Sequence, residues 1–80
     1  MSDMRAKMVI ERVEKLENVE ILHFRAVSKS TSYPPDGSDE DNTYAKFSPM
    51  GSLSLTVANP NLLGKFLPGE KYYLDFTKAE

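Results

Sequence analysis

The 80-residue chain contains no cysteine and no tryptophan, and its only histidine is His23. Without cysteine, the sequence excludes disulfides and thiolate metal sites. It also excludes the Cys–His pairs of nucleophilic enzymes, and no G-x-S-x-G nucleophile elbow is present. Gly64-Lys65 is followed by Phe66, so there is no phosphate-binding loop. We therefore predict that the protein is not an enzyme and holds no metal or cofactor, with His23 on the solvent side of a strand.

The chain also lacks an excess of positive charge. The chain has ten Lys and Arg residues and twelve Asp and Glu residues, which gives a net charge of −2. Proteins that bind the phosphate backbone of duplex DNA are usually basic, so we do not expect nucleic acid as a partner. No apolar run approaches the roughly 20 residues of a membrane helix. Charges at Arg5, Lys7 and Glu11 interrupt the place where a secretion signal would need its apolar core. We expect a soluble domain without a membrane partner.

Alternating apolar and polar residues fill much of the remaining chain and predict strands. One domain over residues 1–80 suits this length. In 51–59, Leu53, Leu55 and Val57 alternate with polar residues, and 70–78 repeats the pattern with Tyr72, Leu74 and Phe76. We expect Leu53, Leu55, Val57, Leu74 and Phe76 to be buried together. Segment 19–28 is rich in β-branched and aromatic residues, and 43–49 is a shorter candidate strand ended by Pro49.

The first segment, 5–17, fits two structures. Val9, Val13 and Leu16 recur at helical spacing, whereas the β-branched density of 8–13 and the turn-forming Glu17-Asn18 favour a strand. We favour the strand. Asn59 and Pro60 predict a short helical turn around residues 60–66. The expected fold is all-β and mainly antiparallel, a small five-stranded barrel or two-layer sandwich.

An extended acidic loop with proline and glycine spans residues 30–42. Connections of this length are uncommon in compact domains and are usually functional or disordered. We expect its acidic side chains to be exposed, which disfavours general acid–base catalysis. Their spacing does not match an EF-hand, although an irregular Ca²⁺ or Mg²⁺ site from Asp36, Asp39 and Asp41 stays open. We predict instead a docking arm, stiffened by its two prolines. Its predicted partner-binding residues are Tyr33, Pro34, Pro35, Asp36, Asp39, Glu40, Asp41 and Asn42, and residues 1–7 form a second predicted arm.

The stretch "SYPPDGSDEDNTYAKFSPMGSLSLTVANPNLLGKF", followed by "PGEKYYLDFT", resembles a group of short phage-encoded proteins. The resemblance covers residues 5–78 and carries no catalytic motif. It implies a small viral protein, found in the virion or in the host cytoplasm. Its predicted function is to decorate and stabilise the capsid, with the loop and the N-terminal arm docking on a phage capsid protein. A host protein is the alternative expected partner, and a homo-oligomer is a further expectation.

Two other functions remain open on the sequence. In the first, Asp36, Asp39, Glu40 and Asp41 would replace phosphates in a basic site and so inhibit a host protein that handles nucleic acid or defends the cell. In the second, a β-barrel would bind single-stranded nucleic acid by stacking bases on aromatic side chains near lysines. The residues for that platform would be Tyr44, Phe47, Tyr72 and Tyr73, with Lys46 and Lys71.

Overall fold

The computed structural model describes residues 3–80 and has four strands in one antiparallel sheet. The strands are β1 (Met4–Leu16), β2 (Val19–Ala26), β3 (Ser52–Val57) and β4 (Lys71–Phe76), in the spatial order β3-β2-β1-β4. A turn at Glu17 and Asn18 joins β1 to β2, and Asn18 has a φ of 68° there. Asparagine tolerates this left-handed conformation better than most residues. The all-β, antiparallel prediction is confirmed, and segment 5–17 is a strand up to Leu16.

A β-bulge interrupts β1 near its middle. The register with β2 shifts between Ile10 and Arg12, so Glu11 is the extra residue. Ile10 lies opposite Phe24, and Val13 lies opposite Leu22, on the same face of the sheet. A regular strand would return to that face every two residues, whereas the bulge spaces these two apolar residues three apart. Val9, Val13 and Leu16, which recur at helical spacing, do not share a face. Val13 lies on the core face, whereas Val9 and Leu16, opposite Arg25 and Val19, lie on the other.

The apolar core lies on one face of this sheet. Its buried cluster consists of Ala6, Met8, Ile10, Leu22, Phe24 and Val57. The connection from β3 to β4 covers the cluster, because those two strands occupy opposite edges and the chain must cross the sheet between them. Leu63 and Phe66 of this connection pack against the core. The backbone N–H of Gly64 donates to the buried Glu20 carboxylate at 3.1 Å, which fastens the connection above β2.

The predicted helical turn is present but short, a 3₁₀ turn over Pro60–Leu62. Asn59 caps it, since its side-chain oxygen accepts the N–H of Asn61 at 3.0 Å, and Pro60 occupies the first position. No helix among residues 3–80 is long and apolar enough to cross a membrane.

The predicted fifth strand, 43–49, does not form. The backbone N–H of Ala45 turns back to the carbonyl of Asn42 at 3.0 Å. Phe47 has a φ of 62°, which is left-handed and incompatible with an extended strand. Only Thr43 joins β1, where its backbone N–H donates to the Arg5 carbonyl and its hydroxyl accepts the Arg5 N–H.

With four strands the sheet stays open, which corrects both the barrel and the predicted core. The five residues expected to be buried together do share the core face. Val57 is buried, but Leu55 and Phe76 are 51% and 47% exposed. The reason is that β3 and β4 lie at opposite edges, separated by β1 and β2, and never meet. Edge strands have a neighbour on one side only, so part of their apolar surface remains in contact with solvent.

Candidate docking loop

The loop between β2 and β3 forms hydrogen bonds with the edge of β1 beyond the end of β2. β2 stops at Ala26, opposite Met8, so the first residues of β1 have no strand on that side. The backbone N–H of Lys7 instead donates to the side-chain oxygen of Asn42 at 2.8 Å, and the Lys7 carbonyl accepts from Val27 at 3.0 Å. With the Thr43–Arg5 bonds, these contacts satisfy backbone groups that an open edge would leave to solvent.

Asn42 and Asp39 are the centre of this attachment, and both are buried, with 0% and 4% exposure. The side-chain N–H₂ of Asn42 donates to the Val27 carbonyl at 2.8 Å and to the Asp39 carboxylate at 3.2 Å. Asp39 also accepts the backbone N–H groups of Asp41 and Asn42 at 2.9 and 3.1 Å, and the Tyr33 hydroxyl at 3.3 Å. These two predicted docking residues are therefore structural, and the expectation that they would be exposed is wrong.

These hydrogen bonds also determine the ionisation of Asp39. Burial alone would raise the pKa of its carboxyl group. The hydrogen bonds donated by the Asn42 side chain and by two backbone N–H groups outweigh that effect and hold the pKa below its ordinary value. Asp39 is thus a stable carboxylate at neutral pH, and each of its oxygens has a donor within the loop.

A tight turn at the start of the loop holds Pro35 and Asp36 in place. The N–H of Gly37 donates to the Pro34 carbonyl at 2.9 Å, and the N–H of Phe47 donates to the Gly37 carbonyl at 2.8 Å. Gly37 has a φ of 74°, and any side chain there would overlap the Phe47 ring. The Tyr33 ring lies 5.9 Å from that of Phe47. Pro35 and Asp36 are therefore held in an exposed position by a defined turn.

The four acidic groups of the loop are in different environments. Asp36 is exposed, and its carboxylate accepts the Ser38 N–H at 3.0 Å, a hydrogen bond that lowers its pKa. Glu40 has a 72% exposed side chain, and its carboxylate forms an ion pair with the Lys29 ammonium at 3.2 Å. Asp41 is half-buried between the Lys7 ammonium at 3.4 Å and the Tyr73 hydroxyl at 3.1 Å. Only Asp36 and Glu40 present their charge at the surface, which weakens the phosphate-replacement hypothesis.

Two open depressions flank Glu40 and Thr43 on the outer surface of the loop. One has a volume of about 330 Å³ and is also lined by Ser38, Ala45 and Lys46. The other, of about 270 Å³, extends to Asp3, Met4 and Arg5. Both are open to solvent, unlike the enclosed clefts that small molecules prefer.

The other candidate sites do not converge. No group of three or more His, Cys, Asp or Glu side chains within residues 3–80 could hold a metal ion, so Asp36, Asp39 and Asp41 do not form the Ca²⁺ site that the sequence left open. His23 lies on the face opposite Leu22, as predicted, with its Nε2 3.3 Å from Glu14.

The predicted N-terminal arm is not a free arm in its described part, because residues 4–7 belong to β1. Residues 1–2 of that prediction lie outside the described part of the chain.

The aromatic residues of the nucleic-acid hypothesis lie on different surfaces. Tyr44 and Tyr72 pack against the core. Tyr73, the next residue along β4, lies on the opposite face. The Arg5 guanidinium lies over its ring, 4.5 Å from the ring centre. Phe47 is 51% exposed beside the loop turn. A stacking platform needs its rings side by side on one surface, and the structure does not provide that arrangement.

Sequence reasoning missed the contribution of Lys7, Val27 and Thr43 to the loop. Val27 acts through backbone groups, Lys7 through its backbone and its ammonium group, and Thr43 through its backbone and hydroxyl. The one available signal was Asn42 itself, since a buried asparagine can bridge a donor and an acceptor of the main chain.

No protein-family model matches this chain, and comparisons with curated proteins and with solved structures find no match. The resemblance to short phage-encoded proteins therefore stays a prediction.

The lowered pKa of Asp39 predicts acid sensitivity. A carboxyl group with a lower pKa in the folded state stabilises the fold fully above its unfolded pKa, near pH 4. That stabilisation is lost as the pH falls through the folded pKa. We expect the melting temperature of the wild type to fall below about pH 4. Asp39→Asn should be less stable at pH 7 and change less with acid.

Thermal melts between about pH 2.5 and 7 test this expectation. Glu17→Gln, an exposed acidic residue in the β1–β2 turn, is the control and should follow the wild-type curve. An unchanged acid transition in Asp39→Asn would show that other carboxylates cause it.

Proposed function

We propose that this chain is a non-enzymatic interaction protein that attaches to a larger protein assembly, and that the assembly is a phage capsid which it stabilises. The observation that carries the proposal is the thinness of the domain. Its Cα atoms extend 47 × 32 × 15 Å, with a radius of gyration of 14.3 Å. A compact chain of this length would have a radius of about 12 Å. One thinly covered sheet stabilises itself less than two packed layers would.

Exposed apolar side chains support the same proposal. Within residues 3–80, eight large hydrophobic residues are at least 39% exposed, namely Leu16, Phe47, Met50, Leu55, Leu62, Leu67, Tyr73 and Phe76. Single exposed apolar residues are ordinary. Eight of them on so small a domain leave apolar area that binding to another protein would remove from water.

The loop would dock with its exposed residues in a conformation that the buried ones hold. Pro34 and Gly37 form the turn, while Asp39 and Asn42 attach the loop to β1. Pro35, Asp36 and Glu40 are therefore displayed before the partner arrives. A preorganised loop loses little conformational entropy on binding, which favours affinity. The capsid as partner follows from the resemblance. The acidic inhibitor has weaker support, because Asp39 and Asp41 are largely buried and do not present their charge at the surface.

Two measurements test the proposal, and the first is the protein content of virions. Mass spectrometry of purified particles of a phage that encodes this chain should find it in many copies. Cosedimentation with particles that lack it should then be weakened at least about tenfold, or 1.4 kcal/mol, by the double substitution Asp36→Ser/Glu40→Ser. That variant should lose no more than about 1 kcal/mol of stability, since both side chains are exposed and Glu40 contributes one ion pair, with Lys29.

A matched control removes the same charge elsewhere. Glu11→Ser/Glu17→Ser changes two exposed acidic residues away from the loop and should cosediment like the wild type. Particles without the chain would overturn the capsid proposal. Equal weakening by both double variants would mean that net charge, and not the loop, governs attachment.

A further inference from the structure

The outer edge of β3 has none of the features that usually keep a strand edge from pairing. Natural sheets protect their edges with charges, prolines or bulges. β3 (Ser52–Val57) contains neither charge nor proline, and no charged residue occurs anywhere in 47–64. The opposite edge differs, because β4 carries Lys71 and Asp75, and Asp75 forms an ion pair with Arg5 at 2.7 Å.

Hydrogen bonding within the sheet identifies which backbone groups β3 leaves open. The N–H of Ala26 donates to the Gly51 carbonyl at 2.9 Å, which makes these two residues a hydrogen-bonded pair. Such pairs alternate along an antiparallel ladder. Phe24–Leu53, Leu22–Leu55 and Glu20–Val57 are therefore hydrogen-bonded as well. The backbone N–H and C=O groups of Ser52, Ser54 and Thr56 consequently point away from β2, toward the open edge.

We infer that β3 pairs antiparallel with β3 of a second copy of this chain, which joins two four-stranded sheets into one. A strand that meets itself across a two-fold axis is self-complementary by symmetry. Because the segment is uncharged, the two copies approach without repulsion between like charges, and a charged peptide would find no complementary group on this strand. The axis runs perpendicular to the sheet, so both copies keep Leu53, Leu55 and Val57 on the core face.

The exposure of Leu55 selects the register. Leu55 is 51% exposed, the most exposed large apolar residue of β3. With Leu55 opposite Leu55 of the second copy, Ser54 lies opposite Thr56, and their open backbone groups form the hydrogen-bonded pairs. Leu55 then occupies a non-hydrogen-bonded pair, where side chains approach most closely. This register covers the apolar surface that the edge position leaves in water.

Two substitutions on the same face, at opposite edges of the sheet, test which edge associates. Wild-type protein in light scattering coupled to size exclusion should show the mass of a dimer at high concentration. Leu55→Lys should be monomeric and folded, because it places two like charges opposite each other. Phe76→Lys changes a side chain of similar exposure, 47%, on β4 and should stay dimeric.

A cysteine cross-link tests the register independently of these substitutions. The chain has no cysteine, so Leu55→Cys introduces a unique thiol. Cα atoms in a non-hydrogen-bonded pair are about 4.5 Å apart, within the distance that a disulfide spans. Mild oxidation should convert Leu55→Cys to a covalent dimer and leave Ser54→Cys largely monomeric. A monomeric wild type without cross-linking of Leu55→Cys would overturn the inference, and a dimer lost in Phe76→Lys but kept in Leu55→Lys would assign it to the other edge.

The outcome is separable from the proposed function. These measurements use the isolated protein, whereas attachment to particles is measured with the Asp36 and Glu40 variants. A monomer that still binds particles would overturn only the β3 pairing, and a dimer that is absent from particles would overturn only the capsid proposal.

Discussion

Replacing Leu22 with alanine should cost about 2–5 kcal/mol of unfolding free energy, the usual range for a buried leucine. Leu22 is 1% exposed in the middle of β2, with Val13 on one side and Leu55 on the other. The substitution leaves a cavity that the flanking strands are unable to close without breaking their ladders. A domain of 80 residues has about 4–12 kcal/mol in total, so the variant should be partly unfolded at modest urea concentrations.

Leu55→Ala is the matched control for this experiment. It is the same substitution in the directly opposite residue on the same face, but its side chain is 51% exposed. We expect a cost of about 1 kcal/mol or less. Urea titrations followed by circular dichroism, at a concentration where the wild type is monomeric, give both values. Equal losses would show that Leu55 is buried in solution and that the sheet is more closed than its strand order implies.

The sequence was sufficient to predict the four strands and the apolar faces of β3 and β4. Alternation with period two identifies which side chains of a strand share a face, and Leu53, Leu55 and Val57 do so. It does not identify the neighbour of that strand. Whether β3 and β4 close a barrel depends on the path of residues 58–70, which cross above the sheet and leave the two strands at opposite edges.

Long-range contacts also explain why the burial of Asp39 and the absence of the fifth strand were not predicted. Asn42 bonds to Lys7 across 35 positions of the chain, and no local pattern encodes that partner. Acidic side chains near proline and glycine ordinarily indicate a solvated loop. At Asp39 the donors of Tyr33, Asp41 and Asn42 reverse that expectation. The turn from Asn42 likewise takes Tyr44 and Ala45 out of the sheet, through the hydrogen bond from the Ala45 N–H to the Asn42 carbonyl.

The same loop thus has a structural part and a displayed part. Asn42 completes the edge of β1 and Asp39 holds Asn42 in place, whereas Pro35, Asp36 and Glu40 remain at the surface. The two parts make opposite predictions for mutagenesis. Changes to the displayed residues should alter association and spare stability, and changes to the structural residues should lower stability in the absence of any partner.

Asn42→Ala should destabilise the isolated domain by about 3 kcal/mol. It leaves the Lys7 N–H and the Val27 carbonyl without the Asn42 side chain, and each buried group that loses its partner costs about 1–3 kcal/mol. The Asp39 carboxylate loses a donor as well. Since the loop covers the edge of β1 where β2 ends, its release should expose that part of the strand to water.

Urea titration gives the free energy, and hydrogen exchange locates the loss. The Lys7 amide should exchange slowly in the wild type and rapidly in Asn42→Ala, while amides between β2 and β3 keep their protection under native conditions. Asn61→Ala is the matched control, the same substitution in an exposed residue of the 3₁₀ turn, and should change stability by no more than about 0.5 kcal/mol. A stable Asn42→Ala variant with a protected Lys7 amide would contradict the attachment of the loop to β1 through Asn42. The loop would then be free to move, as its acidic, proline-containing sequence alone predicts, and Asp36 and Glu40 would reach a partner without the preorganisation that the proposed docking requires.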